Sequence, residues 1–101
     1  MDDLEITKLC AEAVDIQCDL LAGRWRIFPY HNDTYDPLHD DAQAMALVKK
    51  CKLGILYCDD DEWQVVDMRI IGKMSHEVIA QDLNRAICEC VARMQLAKAK
   101  P

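Results

Sequence analysis

The densest group of reactive side chains lies at residues 30–41, where Tyr30, His31, Asp33, Tyr35, Asp36, His39, Asp40 and Asp41 fall together. Two histidines beside several carboxylates are a donor set for a divalent cation or for proton transfer. Folding demands claim many of the same residues. Asp36-Pro37 reads as a helix start: the carboxylate accepts free backbone N–H groups, and proline fits the first helical position because its missing N–H has no partner there. Asp40 and Asp41 then fall in the first turn, where negative charge complements the helix dipole. His31 sits in a polar loop, where a solvated histidine is ordinary. A metal or acid–base site, if built here, would use His31, His39 and Asp40.

The other chemical signals are thinner. Asp59-Asp60-Asp61-Glu62 is acidic, but it lacks the alternating oxygen ligands, central glycine and distant glutamate of a calcium loop. It reads as a hairpin turn or as an acidic contact for a basic protein. Ser75-His76-Glu77 has the residue types of a hydrolytic triad, yet neighbours on one turn cannot aim at one another as a triad must. The glycines at 23, 54 and 72 are isolated, so no phosphate-cradling loop is present. The cysteines at 10, 18, 51, 58, 88 and 90 contain no Cys-x-x-Cys pair. They read as buried free thiols in a reducing compartment. The candidate binding set is therefore His31, Asp36, His39, Asp40, Asp59, Asp60 and Asp61. No catalytic residue, metal ligand or cofactor is assigned.

The elements that would position this set follow from periodicity. Residues 3–21 carry Ile6, Leu9, Cys10, Ala13, Val14, Leu20 and Leu21 at helical spacing, interrupted only by Gln17, with Gly23 beyond the end. Residues 24–28 alternate charge and bulk, and fit either a short strand or an ordered loop. A second helix is expected over 37–50, burying Leu38, Ala42, Met45 and Val48 with Leu47 and Ala44 beside them, and closing on Lys49 and Lys50. Residues 53–58 and 62–71 read as a hairpin. Its first strand is apolar on both faces and so expected to be covered on both. Its second strand offers Val66, Met68 and Ile70 as the cleaner apolar face. A last helix is expected from Ser75 or Glu77 to Ala97, with Ile79, Leu83, Ala86, Ile87, Cys90 and Met94 in its stripe. The fold class is α+β, a single domain over residues 1–101, with a small antiparallel sheet.

Composition narrows the partners. The 101 residues are 51% hydrophobic and 30% charged, a globular balance. Twelve basic against eighteen acidic residues leave a net charge of −6, which argues against nucleic acid and anionic membrane as partners and favours a basic protein surface. No apolar run approaches the roughly 18 residues of a membrane span. Met1-Asp2-Asp3-Leu4-Glu5 lacks the basic-then-apolar order of a secretory leader.

The stretch Tyr35–Ala42, the hairpin, and Asp82-Leu83-Asn84-Arg85-Ala86-Ile87-Cys88-Glu89-Cys90-Val91 together resemble the phage ABA-sandwich domain family, the NinX-like small tailed-phage proteins. The resemblance spans roughly residues 29–92 and rests on packing and capping patterns. It implies an α/β/α sandwich with helices on both sheet faces, phage or prophage origin, and hence the host cytoplasm. It implies no activity and transfers no catalytic residue. The resulting expectation is a non-enzymatic accessory protein that binds a host or phage protein. The alternative is a small metal-binding protein or enzyme using the 30–41 cluster. A two-stranded sheet is marginal alone, so a symmetric homodimer that joins two hairpins, or packs their helices, is also expected.

Overall fold

The first helix, α1 (Asp3–Ala13), opens where the Asp2 carboxylate accepts the Glu5 N–H at 2.8 Å. It closes well short of residue 21. Asp15 takes a left-handed φ of 58°, the Asp15 N–H donates to the Glu12 carbonyl, and the Ile16 N–H donates to the Ala11 carbonyl. That paired closure is a Schellman motif with aspartate in the position glycine usually fills. The expected helix over 14–21 is therefore corrected. Residues 18–21 form β1 (Cys18–Leu21), which pairs antiparallel with β2 (Arg24–Ile27). Ala22 and Gly23 join them with φ of 52° and 78°, the mirror-image turn that matches strand twist. Leu20 and Leu21, placed in the helical stripe by spacing, are exposed strand residues. Gly23 does adopt the left-handed conformation, but in a hairpin and not at a helix end.

The computed structural model describes residues 1–68 and 76–99. The second helix, α2 (Asp41–Cys51), starts four residues later than Asp36-Pro37 suggests. Asp40 is its N-cap, accepting the Gln43 N–H at 3.0 Å. Asp40-x-x-Gln43 is a capping-box spacing, although the Gln43 side chain reaches past the cap. Its Oε1 accepts the Asp36 N–H at 2.6 Å and its Nε2 donates to the Thr34 carbonyl at 3.1 Å. Pro37 and Leu38 are buried in a turn that precedes the helix. The buried helical face is Ala44, Leu47 and Cys51, while Ala42 and Met45 are exposed, so the expected stripe is displaced. Lys49 and Lys50 do occupy the last turn.

Three strands form the larger sheet in the order β3 (Leu53–Cys58), β4 (Glu62–Asp67) and β5 (Glu77–Ala80), all antiparallel. Residues 24–28 do not join it: β2 pairs with β1 in a separate ribbon. The strand expected to reach residue 71 ends at Asp67, and positions 69–71 and Ser75 lie outside the described residues. Residues 77–80, assigned by spacing to the last helix, are β5, consistent with the β-branched pair Val78-Ile79. The last helix, α3 (Leu83–Ala99), begins after Asp82, whose carboxylate accepts the Asn84 N–H and whose carbonyl accepts the Ala86 N–H.

α3 is the hub. It packs against α1 and α2 and also against β4 and β5. Ala86, Ile87, Cys88, Cys90, Val91 and Ala92 are all buried, which is possible because small residues let two layers approach it closely. Val65, Val78 and Leu53 bring the inner face of the sheet to this core. The outer face carries Leu56, Gln64, Val66, Met68 and Ile79, and no helix among the described residues covers it. The expected cover on both faces of β3 is found on the inner face alone among the described residues, and Val66 and Met68, the cleaner apolar face by sequence, lie on the outer one. The α+β class stands, with three helices and two small antiparallel sheets among the described residues.

Because Asp40 caps α2 and Asp36 does not, Asp40→Ala is expected to destabilise the fold by about 1 kcal/mol, lowering Tm by roughly 4–8 °C. Asp36→Ala is expected to stay within about 0.5 kcal/mol in the same melts. Equal losses would disprove the assignment of the cap.

Candidate functional site

The 30–41 residues separate into three groups. His31, at φ 59°, sets its Nε2 2.8 Å from Asp19 Oδ2 on β1, and its carbonyl accepts from the Arg26 guanidinium. Phe28 meets the ring edge-on at 6.2 Å. His31 therefore fastens its loop to the β1–β2 ribbon. His39 forms the second group: its Nδ1 lies 2.9 Å from Asp36 Oδ2, on an exposed surface. The third group serves the helices. Asp40 caps α2, and Asp41 accepts from the Asn84 side chain at 2.8 Å, tying the start of α2 to the start of α3. Tyr35 is buried and Tyr30 is almost fully exposed.

His39 and Asp36 line a cleft of about 370 Å³ together with Asp3, Thr7, Gly23, Arg24, Trp25, Thr34, Tyr35 and Leu38. A histidine oriented by a carboxylate is the arrangement of a general base. A nucleophile must then lie within its reach. The Thr7 hydroxyl instead donates to the Asp3 carbonyl at 2.8 Å, and the Tyr35 hydroxyl is buried with no hydrogen-bond partner among the described residues. No hydroxyl among the described residues bonds to His39. Asp3 is held by Arg85, which also reaches Glu89; hydrogen bonding to Asp3 raises the guanidinium pKa further. Among the described residues, no group of three or more His, Cys, Asp or Glu side chains is placed to hold a metal ion.

Asp59, Asp60 and Asp61 form the β3–β4 turn, with Asp60 and Asp61 at φ of 71° and 57°. The Tyr57 hydroxyl donates to Asp61 at 2.7 Å, and this bond raises the tyrosine pKa. Trp63 meets Tyr57 edge-on at 5.0 Å, so the acidic tip is braced.

Two features escape a reading of sequence alone. The first is a thiol-lined core around Tyr35. Cys10 and Cys88, 78 positions apart, meet with Cys10 Sγ 3.5 Å from the Cys88 carbonyl oxygen. Hydrogen bonding to Cys88, then burial, then the nearby Cys88 and Cys51 push the Cys10 thiol far above its ordinary range. Burial, with Cys10 and Cys88 close by, also raises the Tyr35 phenol. None of the six cysteines forms a disulfide. The second is the outer sheet face, where Leu56 is 58% exposed, Met68 59% and Ile79 52%. Its strand register could not be read from β5, which looked helical.

No helix among the described residues is long and apolar enough to cross a membrane. Searches of protein-family models, curated proteins and solved structures return no match to this chain.

Both raised groups sit neutral in the fold and ionise in the unfolded chain near their ordinary values of 9.0 for Cys10 and 10.0 for Tyr35. A raised folded pKa gives stability that is complete below the unfolded value and lost above it. Denaturant midpoints are therefore expected to hold near neutrality and to fall from about pH 9. Each group adds a slope of up to about 1.4 kcal/mol per pH unit. Cys10→Ala should flatten the first part of that fall. A flat profile to pH 10.5 would contradict the burial of neutral groups at these positions.

Proposed function

We propose that this chain is a non-enzymatic protein-binding module. The observation that carries the reading is the outer face of the β3–β4–β5 sheet, where the exposed Leu56, Met68 and Ile79 and the half-buried Val66 lie around the hydrogen-bonded Gln64–Glu77 pair among the described residues. Large apolar side chains gathered on one face of a small domain mark an interaction surface. The reactive residues support the same reading, because they already hold one another: His31 with Asp19, His39 with Asp36, and Asp40 with the start of α2. The net charge of −6 favours a basic protein partner over nucleic acid. The resemblance to phage ABA-sandwich proteins supports a phage or prophage accessory role in the host cytoplasm. The alternative, a metal site or enzyme at residues 30–41, would need those residues to converge on one ligand.

Affinity capture from a bacterial host lysate with quantitative mass spectrometry tests this reading. A stoichiometric partner is expected with the wild-type chain. Leu56→Asp combined with Ile79→Asp should abolish its capture while leaving the melting curve close to wild type. Asp36→Ala with His39→Ala should leave capture unchanged. Capture that survives the sheet variants and fails with the cleft variants would move the functional surface to the cleft.

A further inference from the structure

The register of the three-stranded sheet fixes which backbone groups remain available at its two edges. The Met68 N–H donates to the Lys52 carbonyl, so that pair is hydrogen-bonded, and the alternation of an antiparallel ladder carries the pattern onward. Gly54, Leu56 and Cys58 direct their N–H and C=O groups toward β4. Leu53, Ile55 and Tyr57 direct theirs away from it, along an edge that pairs with no other strand among the described residues. This edge is six residues long and contains neither charge nor proline. Such edges are templates for adding another strand, and proteins usually blunt them. The opposite edge is better guarded: β5 is shorter, carries Glu77, and of the two residues that direct backbone groups outward there, Glu77 and Ile79, the Glu77 C=O accepts from the Arg93 guanidinium at 3.4 Å.

Charge selects the occupant. Lys49, Lys50 and Lys52 stand at the N-terminal end of β3, and Asp59, Asp60, Asp61 and Glu62 stand at its C-terminal end. All are exposed except Glu62, which is half-buried. A strand with a basic start and an acidic end is complementary to itself only when the second copy runs antiparallel. We infer that β3 is the interface of a symmetric homodimer, in which two β3 edges pair antiparallel across a two-fold axis and join two three-stranded sheets into one of six strands. This rests on the reading of the sheet as the interaction surface.

The two-fold axis must be normal to the sheet, which keeps inner face beside inner face and places a residue opposite its own copy. Centring on Ile55 sets the outward-directed Leu53 opposite Tyr57 of the second copy, so the backbone groups of Leu53, Ile55 and Tyr57 are all used. On the outer face, Leu56 then stands opposite Gly54 of the second copy, where the Met68 and Val66 side chains of that copy already fill the space above the glycine, so Leu56 meets an apolar surface. The lysines of each copy come beside the aspartates of the other at both ends of the ladder.

Sedimentation of the full chain at micromolar concentration tests the inference. A mass of two chains is expected, with association weakening as salt rises from 0.05 to 0.5 M. Ile55→Pro removes an N–H that faces the open edge and bonds to no residue of β4, and is expected to give a monomer. Because proline also restricts the strand backbone itself, charge variants provide an independent arm. Lys49→Glu/Lys50→Glu/Lys52→Glu and Asp59→Lys/Asp60→Lys/Asp61→Lys should each weaken self-association by roughly tenfold or more. Mixing the two should restore a dimer containing one chain of each kind, since only their cross-pairing is attractive at both ends. A wild-type chain that stays monomeric overturns the inference. So does a dimer indifferent to both charge variants. A monomer that still captures a host protein through Leu56 and Ile79 overturns the homodimer alone; a monomer that captures nothing overturns the binding reading with it.

Discussion

The structure depends on one packing constraint, the enclosure of α3 between the other helices and the inner face of the three-stranded sheet. A helix touched on opposite sides cannot be amphipathic in the usual sense. It must be narrow wherever neighbours press on it. Ala86, Cys88, Cys90 and Ala92 supply that narrowness, while Ile87 and Val91 fill the gaps between layers. Core interiors pack at crystal-like density, so enlarging any of the small positions would force the layers apart. The cysteines belong to this constraint: they act as small hydrophobes, and the low-dielectric surroundings that suit them also keep Cys10 and Tyr35 neutral.

Enclosing α3 uses one face of the sheet and leaves the other uncovered among the described residues. The same arrangement leaves two unequal edges. At β5 the chain blocks strand addition with a short strand, a carboxylate and a guanidinium set on the Glu77 carbonyl. At β3 it places neutral residues along the edge and confines charge to the ends. Defence at one edge and none at the other is the pattern expected where one edge has a use.

The polar residues at 30–41 show how strongly folding can claim chemically versatile side chains. Asp40 and Gln43 hold the start of α2 and the loop before it; His31 and Asp19 hold that loop to the ribbon; Asp41 and Asn84 join two helix starts. The Asp36–His39 pair faces one cleft and Asp41 with Asn84 lines another, and no described hydroxyl is bonded to His39. This is the physical basis for proposing the sheet, and not the 30–41 cluster, as the interaction surface.

Local sequence determined the α+β class, the β3–β4 hairpin with its acidic turn, the lysine-rich end of α2, and the helical character of residues 83–97. Each depends on interactions within a few residues, which periodicity and capping chemistry report. Tertiary structure decided where the ambiguous apolar runs ended. The spacing of Leu20 and Leu21 suited a helix, but a left-handed Asp15 and the Ala22-Gly23 turn made them strand. Val78 and Ile79 extended a helical stripe, but pairing with β4 drew them into the sheet. Asp36 read as the cap and Asp40 as a residue of the first turn, but it is Asp40 that meets the free N–H groups of α2, because Gln43 draws the preceding loop across the helix start. Which face of the hairpin met the core, and which thiols met one another, depended on α3, whose contacts join residues far apart in the chain. Periodicity records that a residue is apolar; only the packed layers decide what it lies against.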